Sequence, residues 1–288
     1  MAKLQGLKRI FRRYPGLVFG CFIILVFIMV SLLAPFLTPH DPLLVDLSRR
    51  LLPPSWMDRG NIAHLLGTDM LGRDVFSLLI YGARVSFFVA LLILAVTSIL
   101  GTTLGIISGY LGGIVDTIIM RLVDLTFSLP VILFALAVGA IFGPGILPLT
   151  IILSLLLWSG YARMGRGEVL RIRESDFIAY AKVTVASQSR IMLKHLLPNI
   201  LTPIVVLATL SMSRLIILLS TLSFLGVGIP PSTPDWGNMI SNGRAYLNTA
   251  WWISIFPCLA IAVAVLAFNM LGDTLNEYLN PELRVRTR

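Results

Sequence analysis

The chain has 288 residues, 57% of them hydrophobic and only 13% charged, with a mean hydropathy of +0.89. Soluble domains carry roughly 25% charge, so this composition excludes an ordinary water-soluble fold and points to an integral membrane protein. The formal net charge of +9 does not mark a nucleic-acid binder, because the basic residues lie at the ends of apolar runs, where they set topology.

Lys3, Lys8, Arg9, Arg12 and Arg13 come first and predict a cytoplasmic N-terminal segment over residues 1–16. The apolar run that follows has about the 20 residues a bilayer requires. It is too long for the core of a signal peptide and lacks a small-residue cleavage site, so it predicts an uncleaved first span over 17–37. Residues 38–82 are polar. Arg49, Arg50, Arg59, Arg73 and, just past the end, Arg84 are balanced by Asp41, Asp46, Asp58, Asp69 and Asp74. A near-neutral loop suits the outer face, and Pro53, Pro54 and Trp56 predict that it is ordered against the membrane surface.

A core domain is expected over 83–275. Its first helix, the second span, is read as 85–107. Gly101, Gly105 and Gly109 fall at four-residue spacing, which lines them up on one face where another helix can approach closely. Asp116, Arg121 and Asp124 precede a third span at 125–142. Charges so near a span are costly unless paired, so structural pairing is expected, with a kink at Pro130. The uncharged turn Gly143–Pro148 leads to a fourth span at 149–161. A basic island then interrupts the apolar second half. It contains Arg163, Arg166, Arg171, Arg173, Lys182, Arg190 and Lys194, against Glu168, Glu174 and Asp176. Residues 162–198 are read as a cytoplasmic loop. Phe177, Ile178, Ala181 and Val185 keep helical apolar spacing within it, which predicts a short amphipathic docking helix that Ser175 or Asp176 can cap.

The fifth span, 200–225, contains Arg214, and an intramembrane charge is by default a functional residue. Residues 226–250 are rich in Pro, Gly and Asn, with Trp236, Trp251 and Trp252 expected as interface anchors. A sixth span at 253–271 precedes a cytoplasmic tail, 276–288, carrying Arg284, Arg286 and Arg288. The fold class is therefore all-α, a six-span bundle with both termini inside. Cys21 and Cys258 lie in apolar runs without a CxxC pattern and are read as small buried hydrophobes. His40, His64 and His195 are far apart in sequence and lack metal-ligand spacing, so each is read as interfacial or loop and no metal site is expected. There is no G-x-x-x-x-G-K-[ST], G-x-S-x-G or HExxH, so no catalytic residue is expected and the chain does not itself bind ATP through a P-loop.

The island resembles the cytoplasmic loop of the inner-membrane permeases of binding-protein-dependent ABC importers. Their signature runs Glu-Ala-Ala, three residues, Gly, nine residues, Ile-x-Leu-Pro. Leu197-Pro198 fixes the register and puts Ala179-Tyr180-Ala181 at Glu-Ala-Ala, Val185 at the glycine and His195 at the isoleucine. Four further blocks, His64–Ser86, Ser108–Pro130, Leu222–Ile240 and Phe268–Arg284, are similar to the C-type subunit of dipeptide, oligopeptide and nickel permeases. Together they cover about residues 10–284.

This resemblance implies the type I importer permease bundle and a coupling helix of roughly Asp176–Ser187. Asp176, Phe177, Ile178, Ala179, Tyr180, Ala181, Val185, Ala186 and Ser187 would contact an ATPase, and Arg163, Arg166 and Glu168 would brace the loop. Asn269 and Asp273 would brace the inner end of the last span. Arg214, read from its place within a span and not from the resemblance, either lines the translocation path or is a structural arginine that pairs with the partner permease or faces water. The implied partners are a second, homologous permease forming a heterodimer, two cytoplasmic ATPases that use ATP and magnesium, an extracytoplasmic binding protein and membrane lipid. No cofactor is expected on this chain. The implied location is a bacterial inner membrane, and the implied solute is a peptide or a peptide-like or nickel-chelate compound. Two residues depart from the pattern. Val185 resists the positive φ that the glycine would supply, and Tyr180 adds bulk to the docking surface. The competing reading is a secondary transporter or channel working without an ATPase. It is disfavoured by the lack of an evident internal repeat and of membrane-embedded acids.

Overall fold

The computed structural model describes residues 15–175, 180 and 187–279; its regular elements among those residues are helices, with one isolated antiparallel bridge between Thr68 and Asp74. Helix α1 is Pro15–Leu37 and α2 is Val75–Leu111. Next come α3, Gly113–Ser128, α4, Val131–Phe142, and α5, Ile146–Arg173. Helix α6 runs Gln188–Phe224, α7 is Trp236–Gly243 and α8 is Trp252–Leu279. Helices α1, α2, α5, α6 and α8 are each long and apolar enough to cross a membrane. The pair α3 and α4 passes the same test only together, bent by 86°. Of the expected six crossings, five are continuous helices among the described residues, and counting the bent pair as one span gives a sixth.

The break follows from Pro130, which sits at the N-cap of α4. Proline forces the preceding residue out of the α region, and Leu129 is extended at φ −88°, ψ 125°. The expected kink is therefore a full interruption. Most helices also run past the hydrophobic stretches that predict them. Asp74 starts α2 ten residues before the expected second span, its carboxylate accepting from Ser77 N–H at 2.8 Å. A side-chain acceptor there satisfies one of the free donors of a helix start. Helix α5 continues to Arg173, so the first part of the basic island is helix, not loop. Basic side chains are good helix formers, and a charged face raises no objection where the helix leaves the bilayer.

Helix α6 begins at Gln188 and includes a π-type stretch at Met192–Leu196. Pro198 has no N–H to return to the preceding turn, and Leu197 N–H bonds instead to Met192 O, five residues back.

The main core is built where α2, α5, α6 and α8 converge, around Ile93, Leu153, Ile216 and Leu222. The closest seam is α2 against α5, and the glycines make it. A Cβ at Gly101 would lie 2.2 Å from Trp158 O, and one at Gly105 would lie 2.5 Å from Ala162 O. Those distances are far inside contact, so the two backbones approach only because both positions lack a side chain. A smaller cluster of Ile106, Val169, Leu196 and Ile200 joins α2, α5 and α6 at the basic end.

Two expectations change. Trp236 and Trp252 are 1% and 3% exposed, not interface anchors. Their indole N–H groups donate to Leu79 O at 3.0 Å and Thr68 O at 3.1 Å, which is how a buried tryptophan satisfies its polar edge. Cys21 and Cys258 are exposed on α1 and α8. An outward face in a membrane is as apolar as a core, so a small hydrophobe sits there equally well.

Candidate functional site

A cavity of about 230 Å³ opens between α2, α3, α4, α5 and α6. Its wall is apolar, with Leu156, Leu207 and Leu218, but Thr97, Ser159, Ser211 and Arg214 bring polar groups to it. Arg214 is exposed and forms no ion pair among the described residues. The residues flanking it, Ser213 and Leu215, are 2% and 3% exposed, so the helix face that turns Arg214 to the cavity buries its neighbours. Leu219, one turn further along, is 1% exposed and lies in the core.

Below this cavity, charged side chains tie α5 to its neighbours. Arg166 grips Asp116 of α3 through two bonds, Nε to Oδ1 at 2.5 Å and Nη2 to Oδ2 at 2.7 Å. Ser108 of α2 donates to the same carboxylate at 2.5 Å, so three helices meet at Asp116. Arg163 reaches Asp124 at 2.7 Å and stacks 4.2 Å from the centre of the Phe127 ring. Arg173 Nη1 donates to Gly109 O at 3.1 Å. The pairing expected of Asp116 and Asp124 is therefore made with Arg166 and Arg163, two residues expected to brace this end. Arg121 lies exposed and makes no ion pair among the described residues.

Glu168 behaves differently from its two arginine companions. It pairs with Arg171 of its own helix at 2.6 Å and faces a second, more polar cavity with Asn199, Thr202 and Asn276. On α8, Asn269 accepts from Ser213 Oγ at 2.7 Å, whereas Asp273 is exposed.

Asp176, Phe177, Ile178, Ala179, Ala181, Val185 and Ala186 lie outside the described residues. Of the expected coupling helix only Tyr180, 71% exposed, and Ser187, also exposed, are described. Ser175 Oγ donates to Ile172 O at 2.7 Å, at the end of α5.

At the opposite end of the bundle the polar groups are buried. Asp69 accepts from Leu71 N–H, Arg73 N–H and the Arg73 guanidinium at 2.7–2.9 Å. Asp235 caps α7, accepting from Gly237 and Asn238 N–H at 3.0 and 3.2 Å and from Ser86 Oγ at 2.8 Å. Burial pushes its carboxyl up from the ordinary 3.8 despite those bonds.

Sequence reasoning missed one grouping. His40 and His64, separate in the chain, stand with ring centroids 4.7 Å apart beside Asp74. The tight turns from His64 to Asp74 bring them together: Gly67 N–H bonds to His64 O and Val75 N–H to Gly67 O. Gly67 and Gly72, both at positive φ, are the signal for that folding.

Two family models match the chain. The binding-protein-dependent transport system inner membrane component spans residues 101–285, and the N-terminal TM domain of oligopeptide transport permease C spans 4–54. Among curated proteins, the chain is 39% identical to a dipeptide transport system permease protein of Haemophilus influenzae, covering 98% of this chain and 95% of that one. It is 40% identical to the dipeptide transport system permease protein of Escherichia coli K12, covering 99% and 95%. A di/tripeptide transport system permease protein of Pseudomonas aeruginosa is 37% identical, covering 95% and 90%.

Proposed function

We propose that this chain, which belongs to the family of binding-protein-dependent transport system inner membrane components, forms one half of an ATP-driven import path for short peptides. As a member of that family it is a multi-pass inner-membrane permease subunit, not a secondary transporter working alone. The peptide assignment is ours and follows the names of its relatives.

In this reading a second permease completes the path and two cytoplasmic ATPases supply the work with ATP and magnesium. A binding protein delivers solute to the face formed by residues 38–74, and both termini lie in the cytoplasm. In this reading the ATP and magnesium are held by those partners and not by this chain. One observation carries the reading. The segment 176–187 is bracketed by α5 and α6, and both of those helices run directly into the cavity wall, through Leu156 and Tyr161 on one side and Ser211 and Arg214 on the other. No loop intervenes between Tyr161 and Arg173 to absorb a push. Movement of the segment therefore reaches the cavity through two continuous helices. Arg163 and Arg166 hold α5 to α3 so that α3 moves with it, and Glu168 sets the helix face nearest the push. Arg214 offers a guanidinium suited to a peptide carboxylate.

Phe177→Glu tests the coupling role. In the assembled complex in lipid nanodiscs it should abolish peptide-stimulated ATP hydrolysis while membrane insertion stays normal. Undiminished stimulation would show that this segment does not contact the ATPase.

A further inference from the structure

His40, His64 and Asp74 come from three separate stretches: the exit of α1, the loop beyond it and the first cap of α2. One ligand-capable atom from each lies within 4.8 Å of the others. Asp74 and His64 are 2% and 3% exposed, while the His40 side chain is 29% exposed. Asp74 Oδ1 takes the His64 Nδ1 contact at 3.0 Å, and Oδ2 accepts from Ser77 N–H and Oγ at 2.8 and 2.7 Å. His40 is steered into place by its backbone, whose N–H donates to Ser77 Oγ at 3.3 Å. Its Nδ1 stands 3.9 Å from Asp74 Oδ2, beyond hydrogen-bond reach.

Two polar atoms are left over. His40 Nδ1 and His64 Nε2 are buried and have no hydrogen-bond partner. Buried polar atoms are almost always satisfied, so two orphan imidazole nitrogens beside one carboxylate call for an explanation. No arginine supplies it, because neighbouring Arg73 is held by Asp69 at 2.7 Å. When Nδ1 of a histidine faces a carboxylate, that bond fixes the tautomer and leaves the Nε2 lone pair for a metal.

We propose that this junction binds a first-row divalent transition cation, such as zinc. The two imidazoles are the ligands, and Asp74 orients His64 and balances the charge. Imidazole selects such ions over magnesium or calcium, which require oxygen cages. Ligand bonds of about 2.0–2.1 Å need the group to close slightly, and His40, the more exposed ring, is the one free to swing in. Bound metal would lace the end of the first span to the start of the second. None of the three residues lines the Arg214 cavity, so the site is separate from the import path, and its failure would leave the permease reading intact.

The test uses the full-length protein without a histidine tag, in nanodiscs, with zinc as the probe. The chain has three histidines, so the background is small. The wild type should retain zinc through desalting, unfold at a higher temperature with zinc than without, and show X-ray absorption from imidazole nitrogen and oxygen. His40→Ala should weaken zinc binding by more than about tenfold while its metal-free unfolding temperature stays near wild type. His40→Gln should do the same, which guards against a folding artefact of the smaller residue. Failure to retain zinc, sulfur ligation through Cys21 or Cys258, or unchanged affinity in both variants would each overturn the proposal and leave a metal-free His–Asp cap.

Discussion

The two ends of the bundle, outer and inner in the orientation proposed above, handle charge in opposite ways. At the outer end, Asp69, Asp74 and Asp235 are nearly inaccessible, and each accepts several bonds from groups fixed in the chain. At the inner end, Arg163 and Asp124 are 53% and 59% exposed, and Arg171 is 72% exposed. A buried acceptor is worth its full desolvation if its donors are lost, whereas an exposed ion pair contributes little. The outer end is thus a fixed frame, whereas at the inner end the exposed Arg163 and Arg171 pairs can be exchanged at small cost around the half-buried Arg166–Asp116 anchor. A permease that must reorient needs that asymmetry.

The comparison breaks most visibly at Asp74. Asp74→Ala strands Ser77 N–H, Ser77 Oγ and the His64 ring, and should cost about 3 kcal/mol in detergent unfolding. A loss below about 1 kcal/mol would mean that water already serves these groups. Next comes the seam between the ends. Gly105→Val drives a side chain into Ala162 O and should cost about 1–3 kcal/mol while also lowering transport, because α2 and α5 then separate. A smaller effect on stability is expected at the inner end. Arg163→Ala should change unfolding by less than about 1 kcal/mol, yet reduce peptide-stimulated ATP hydrolysis in the assembled complex.

Acidity sharpens the contrast further. Burial raises the Asp235 carboxyl above 3.8, so the folded chain takes up this proton at a higher pH than the unfolded chain does. Its contribution to stability is complete below 3.8 and is lost as pH rises through the folded value. Asp235→Asn should remove that part of the pH dependence of unfolding, and an unchanged profile would assign it elsewhere. Arg214→Glu probes the cavity between the two ends. It should reduce peptide uptake by about tenfold or more, the worth of one charged hydrogen bond, with little change in unfolding.

Hydrophobic runs with Lys and Arg at their ends made the membrane class and the crossings legible, because the bilayer imposes length and charge position directly. The glycine face of α2 was legible for the same kind of reason: only close packing explains Gly101 and Gly105, and both meet α5 backbone. Helix ends were not legible. The run of arginines after Tyr161 reads as a loop by hydropathy, yet α5 continues through it to Arg173, since leaving the bilayer does not end a helix. The individual partners were also out of reach. Arg166 and Asp116 are fifty residues apart, and their pairing depends on the α2–α5 seam, which tertiary packing alone determines. The His40–His64 approach was missed because spacing rules search for ligands on one element, and these sit on two. The resemblance supplied the family, and relatives at 39% and 40% identity establish it.

The central claim is that the inner ends of α5 and α6 move while the outer frame stays put. Paired spin labels measure this directly in the assembled complex, with Cys21 and Cys258 replaced and the complex compared at rest and trapped with ATP. One pair takes Arg171 and Leu193, exposed on α5 and α6; the other takes Ile62 and Leu247 at the outer end. The account predicts that ATP shifts the distance distribution of the inner pair and leaves that of the outer pair unchanged. An unmoved inner pair, or an outer pair that shifts as much, would contradict it.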